Sequence, residues 1–172
     1  HNNKLPLYII ANTFLGDDEK QNNYSISLQD GSGKLVDSKN INTNIQIQTL
    51  DSVVKQANFS PNFIKIDTDG FDFKVLRGAN NTLKTYKPVI FFEWDKIHLQ
   101  AQNEDFLSIF PQLNKMGYEQ LFVFDNFGVL LCSLPTSDLT NLALLMNYTQ
   151  ESRQNIYYYD IFTFHMVGAK KS

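Results

Sequence analysis

Hydrophobic and polar positions along this chain follow two periods, and the period changes where the residues with chemistry begin. Phe63-Ile64-Lys65-Ile66 is a short, mostly apolar run that ends on Asp67-Thr68-Asp69-Gly70. Directly after it, Phe73, Leu76, Ala79 and Leu83 recur at helical spacing, and Pro88 stops the run. Val89-Ile90-Phe91-Phe92 is a second continuous apolar run, tipped by Glu93. Strand, helix, strand with short links is a βαβ unit. Apolar strands of this kind suit a parallel sheet covered by helices on both faces.

The remaining pattern predicts strands over Leu7–Asn12, Tyr24–Leu28, Ile45–Gln48, Tyr118–Asp125, Val129–Leu134 and Tyr157–His165. Asn126-Phe127-Gly128 reads as a hairpin turn. A short helix capped by Thr49 or Asp51 runs through Gln56, and the segment after Glu93 reads as a loop through Asn103. Phe106, Ile109, Leu113 and Met116 form a helical stripe that Pro111 should kink or divide. Thr136 or Ser137 caps a last helix carrying Leu139, Leu142, Ala143 and Met146. The sum is one α/β domain over residues 1–172, without internal repeats.

Composition narrows the function. The chain has 172 residues, 42% of them hydrophobic, enough for a real core. Net charge is -3 with Lys and Arg dispersed, which argues against nucleic acid or an anionic membrane as partner. No apolar run approaches the roughly 18 residues that span a bilayer. The single cysteine, Cys132, sits in an apolar run and reads as a core residue. One cysteine suits a reducing, cytoplasmic setting. Three Asn-x-Ser/Thr matches, at Asn58, Asn80 and Asn147, read as chance in so asparagine-rich a chain. The start on His1, almost at once in a predicted strand, suggests a piece of something longer.

Ligands of parallel α/β sheets sit beyond the carboxyl ends of the strands. Two strands ending on acids, Asp67 and Glu93, therefore point to one site. Asp67 is the best-placed group to take a proton, against the plainer role of bonding turn amides. Asp69 and Glu93 are candidates to orient an acceptor, share a proton or hold magnesium or calcium, with ordinary solvated acids as the alternative. A metal-dependent hydrolase built on Asp67, Asp69 and Glu93 is a rival, weakened because no histidine joins the cluster at close spacing. Asp72 reads as a helix cap, and Gly70 as serving the turn or a close approach. His98 lies in the segment that would cover the crevice, as a catalytic base or a plain surface histidine. Trp94 is either a stacking platform or a core plug, and His165 is structural.

These segments resemble the FkbM-type S-adenosylmethionine-dependent methyltransferases. The matching residues, in the family's order, are Ala11-Asn12-Thr13-Phe14-Leu15-Gly16-Asp17, Thr49-Leu50-Asp51, Ile64-Lys65-Ile66-Asp67-Thr68-Asp69-Gly70-Phe71-Asp72, Val75-Leu76-Arg77-Gly78-Ala79, Pro88-Val89-Ile90-Phe91-Phe92-Glu93 and Tyr159-Asp160-Ile161-Phe162-Thr163-Phe164. Aspartates replace two glutamates of the family's central signature. The resemblance implies a Rossmann-like class I methyltransferase fold with a mixed, mostly parallel sheet and an antiparallel last strand. It also implies methyl transfer from S-adenosylmethionine to a hydroxyl of a sugar or another small metabolite. Catalytic roles would then fall to Asp67, Asp69, Glu93 and His98. Phe14, Leu15 and Asp67 would meet the cofactor, and a divalent metal is a further option. The family's glycine-rich cofactor loop has no counterpart here, so the chain corresponds to strands 3 to 7 of a sheet ordered 3-2-1-4-5-7-6. An incomplete fold of this kind should bind cofactor weakly and leave a gapped sheet with an apolar edge. A homo-oligomer sealing that edge, or a non-catalytic assembly module, follows as an alternative.

Overall fold

The computed structural model describes residues 11, 13–18, 21–22, 24–29, 32–37, 45–151 and 155–166, with side chains described outside 21–46. In chain order the elements are β1 (Phe14–Gly16), β2 (Gln21–Asn22), β3 (Tyr24–Gln29), β4 (Ser32–Asp37), β5 (Ile45–Thr49), α1 (Leu50–Ala57), β6 (Phe63–Ile66), α2 (Asp72–Arg77), α3 (Asn80–Tyr86), β7 (Val89–Trp94), α4 (Lys96–Ala101), α5 (Phe110–Lys115), β8 (Gln120–Asp125), β9 (Leu130–Pro135), α6 (Leu139–Glu151) and β10 (Tyr159–Thr163). The strand expected over Leu7–Asn12 lies almost wholly outside the described residues, and Ala11 is irregular.

The main sheet is ordered β6-β7-β10-β8-β9. Strands β6 and β7 are parallel, with Ile66 opposite Phe92, while β10 runs antiparallel to both β7 and β8. The expected 4-5-7-6 order with its reversed last strand is thus present as β6-β7-β10-β8. Strand β9 adds an antiparallel edge through a hairpin with β8. A second sheet, β1-β5-β2, holds β1 and β5 in parallel. Among the described residues β6 pairs only with β7, so its other edge is free. Beside that edge an open groove of about 440 Å³ is lined by Ala11, Val53, Ala57, Phe59 and Phe63. Phe59 and Phe63 are more than half exposed there.

The period-2 burial of β7 shows which face the helices cover. Ile90, Phe92 and Trp94 are fully buried, whereas Phe91 and Glu93 are half-buried. One core cluster joins those three to Ile66, Tyr159, Ile161, Leu121 and Val123 of the sheet and to Phe73, Leu76, Leu83, Phe110, Leu113, Leu142 and Met146 of α2, α3, α5 and α6. The opposite face carries Phe122, Phe162 and Phe164, whose rings lie about 6 Å apart, with no described helix over them. Cover on both faces, as the apolar runs suggested, is therefore found on one face among the described residues. Cross-strand phenylalanines shield the other.

Two helix expectations change. The run from Phe73 to Leu83 is divided at Gly78-Ala79 into α2 and α3. Gly78 backs onto Gly16 so closely that a Cβ would lie 2.0 Å from the Gly16 carbonyl oxygen. Pro111 does not kink a helix; it stands in the first turn of α5, where its missing N–H costs nothing. The α6 cap is also displaced: the Asp138 carboxylate accepts from the Asn141 amide, while the Thr136 hydroxyl donates to the Tyr118 carbonyl.

Candidate active site

The turn after β6 and the helix after β7 meet at one rim. Asp69 and Gly70 both have positive φ, +49° and +100°, which swings the turn back over the strand ends. A Cβ on Gly70 would meet the His98 carbonyl oxygen at 2.3 Å, so the close approach anticipated for this glycine is to the backbone of α4. Asp72 is not the helix cap; that position falls to Phe71, which makes no side-chain cap bond. Buried to 1% exposure, Asp72 accepts from the Thr68 hydroxyl at 3.0 Å and the Gly70 amide at 3.2 Å, bracing the turn from beneath. Its other oxygen, Oδ1, is buried without a partner, and burial raises its pKa.

The loop expected after Glu93 is instead α4, because Asp95 caps it. Its Oδ1 accepts from the amides of Ile97 at 2.7 Å and His98 at 3.0 Å. The cap sets the helix phase that turns His98 back toward the strand end. The His98 Nδ1 lies 3.2 Å from Glu93 Oε1, 3.7 Å from Asp95 Oδ2 and 3.9 Å from Asp69 Oδ1. Ligand atoms of Asp69, Glu93 and His98 all fall within 4.8 Å of one another. The histidine thus joins the acids through the fold, five residues after Glu93, and the objection drawn from close sequence spacing is overturned.

Carboxylates dominate this rim. Burial pushes Glu93 up to about 7; Asp72 and Asp95 add to the rise, and the His98 hydrogen bond opposes it. Asp160 of β10 stands opposite Glu93 in the ladder, and burial raises its pKa too. Tyr158 feels the charges of Asp160, Glu93, Asp67 and Asp95, with burial the larger cause of its raised pKa. Asp95, Asp160 and Tyr158 were missed as site residues. The Asp95-x-x-His98 spacing carried a readable cap signal, whereas Asp160 reaches the rim only through strand pairing and Tyr158 lies just before that strand.

Asp67 ends β6 at the same rim but turns to Lys65, 2.9 Å away, with both side chains more than half exposed. It is not part of the Asp69–Glu93–His98 cluster. Trp94 is a core plug: fully buried, its indole donates to the Phe106 carbonyl at 2.7 Å and its ring meets Phe110 edge-on. His165 packs against Tyr118 and under Gly117. Cys132 is packed against the core and burial raises its pKa, contrary to what a nucleophile needs.

Phe14 and Leu15 lie in β1, half-buried, with Leu15 packed on the core. The segments around them build a junction. Arg77 pairs with Asp17 at 3.0 Å and with both oxygens of Glu104. Asp51 accepts from the amides of Asn81 and Thr82 at 2.8 and 2.7 Å, so it caps α3 from a distance, while Thr49 caps α1. Gly16 and Gly78 close the junction back to back. These glycines serve packing and Gly70 serves the α4 contact, so no described strand opens into a glycine cradle for a nucleotide-bearing cofactor. The residues described do not fit S-adenosylmethionine's main binding loop.

Comparison with curated proteins and with solved structures gives no match. Among the described residues no helix is long and apolar enough to cross a membrane. The family model of the methyltransferase FkbM domain matches residues 1–119, more than half of the chain. That span holds the junction, the Asp69–Gly70 turn, Glu93 and His98, and the chain belongs to the FkbM methyltransferase domain family.

Proposed function

We propose that this chain carries the acceptor side of an O-methyltransferase, acting on a hydroxyl of a small metabolite, with sugars as the first class to test. The observation that carries this is the 3.2 Å contact of His98 with Glu93 at the carboxyl end of β7. A hydroxyl that is to be alkylated must lose its proton or have it weakened. With Nδ1 turned toward three carboxylates, the imidazole keeps its proton there and leaves Nε2 to accept one. Glu93 and Asp95 hold the ring, and Asp69, more than a third exposed, is free to accept from neighbouring hydroxyls of a polyol. Asp67, at the tip of the adjacent strand, is a further acid for orienting the acceptor. S-Adenosylmethionine is the family's typical methyl donor, and its binding is assigned to none of the described residues. The hydrolase alternative is set aside in favour of the group transfer that family membership supports.

The chain has three histidines, so the His98 ring signals are readily assigned by NMR. Titration with a panel of sugars and other small hydroxylated compounds should shift them saturably for at least one member. A panel that moves no His98 signal would contradict the acceptor assignment. Calorimetry with S-adenosylmethionine should show binding weaker than micromolar, and a micromolar complex would contradict the donor side.

A further inference from the structure

We infer that Asp69, Glu93 and His98 form a binding site for a first-row divalent cation of the manganese or iron type. This deepens the proposed function, since the cation would sit where the acceptor hydroxyl docks and, when bound, would take over from His98 Nε2 the task of weakening the hydroxyl proton. One imidazole nitrogen and two carboxylates are the only group of three or more such ligands that converge among the described residues. Nitrogen and oxygen bonds to such cations are about 2.0–2.2 Å, which sets ligand atoms roughly 3–4 Å apart. The 3.2 and 3.9 Å separations from His98 Nδ1 already match that spacing. The imidazole also decides the class of ion. Magnesium and calcium, expected from the acids alone, prefer all-oxygen sets, whereas a mixed nitrogen and carboxylate set suits manganese, iron or zinc.

A second observation is independent of these three side chains. Asp72 Oδ1 is buried without a partner, and its carboxyl lies under the turn that carries Asp69. A buried carboxyl oxygen with no partner is costly, and a positive charge nearby is one way to answer it. Lys65, a neighbouring cation, is taken by Asp67. A divalent ion between Asp69, Glu93 and His98 would supply that charge.

Three protein ligands leave coordination positions open, and the 37% and 29% exposure of Asp69 and His98 opens them to solvent. An acceptor with two adjacent oxygens, such as a vicinal diol, could fill two of them. In that state His98 Nδ1 is a ligand that has given up its proton, and Nε2 carries the ring proton instead. The hydroxyl bound to the ion is then acidified by the metal, and its proton passes to water.

Manganese(II) titrated into the full chain, with free ion followed by EPR, should reveal one saturable site. Glu93→Gln and His98→Ala should each weaken it at least tenfold, while Asp105→Asn, in a separate loop, should not. Bound manganese should broaden the His98 ring signals and spare those of His165, a readout that needs no variant. Zinc should displace manganese more readily than calcium does. Absence of saturable binding, unchanged affinity in both variants, or broadening that spares His98 would overturn the site. Such a failure would leave the acceptor titration standing, because that experiment is run without metal.

Discussion

Two acid-rich regions of this protein use the same side chains in opposite ways. At the junction between β1 and α2, every carboxylate on view has a strong partner. Asp17 and Glu104 share Arg77, and Asp51 accepts two backbone amides. At the rim, Asp69, Glu93 and Asp95 gather around one histidine, with Asp72 under the turn, Asp160 opposite Glu93 in the ladder and Lys65 already paired to Asp67. Matched acids act as fasteners and can be counted as architecture. Burial first, and neighbouring acids after it, raise the pKa of Glu93 and Asp72, which costs stability and is tolerated where a site needs charge. The family signature mixes the two kinds, so a match to it does not by itself say which acids do chemistry.

The sharpest blow to the junction is Gly78→Ala. Its Cβ would collide with the Gly16 carbonyl, a backbone atom that can move only if β1 leaves α2. Destabilisation of about 3 kcal/mol is expected by urea unfolding, at the upper end of overpacking costs. An effect below about 0.5 kcal/mol, the usual range for surface changes, would mean that the junction is not a packed unit. Asp51→Ala is the gentler probe. Loss of the remote cap on α3 should cost about 1 kcal/mol, with amide exchange speeding first at Asn81 and Thr82.

Much of the main sheet was legible because its strands are continuous apolar runs that end on acids or glycine. The β6–β7 pair, the hairpin at Gly128 and the reversed β10 follow from local pattern and from the family resemblance. What local pattern missed has two causes: long-range contacts, and competition among near neighbours for the same side chain. The break between α2 and α3 falls at Gly78, where Gly16, some sixty residues earlier, packs too close for a side chain. Asp72 looks like a cap in sequence but is drawn under the turn by Thr68 and Gly70. Within the site, Asp69, Glu93 and His98 were named in advance and the fold brings them together. Asp67 was favoured over them because a strand-tip acid looks free until its lysine partner, two residues back, is seen. Asp160 had no local signal, since only the pairing of β10 with β7 sets it opposite Glu93.

The contrast between fastened and surplus acids is tested most directly by comparing the thermal midpoints of Glu93→Gln and Glu104→Gln across pH 5 to 8. Between its unfolded value of 4.5 and its folded value of about 7, Glu93 holds a proton in the folded chain that the unfolded chain has released. Its contribution therefore falls as pH rises through that window and levels off above it. Glu93→Gln should hold or raise the midpoint at pH 8 and flatten this decline, whereas Glu104→Gln should lower the midpoint by weakening the hold on Arg77. Equal destabilisation by both substitutions at pH 8, with the decline unchanged in Glu93→Gln, would contradict the division between the two regions.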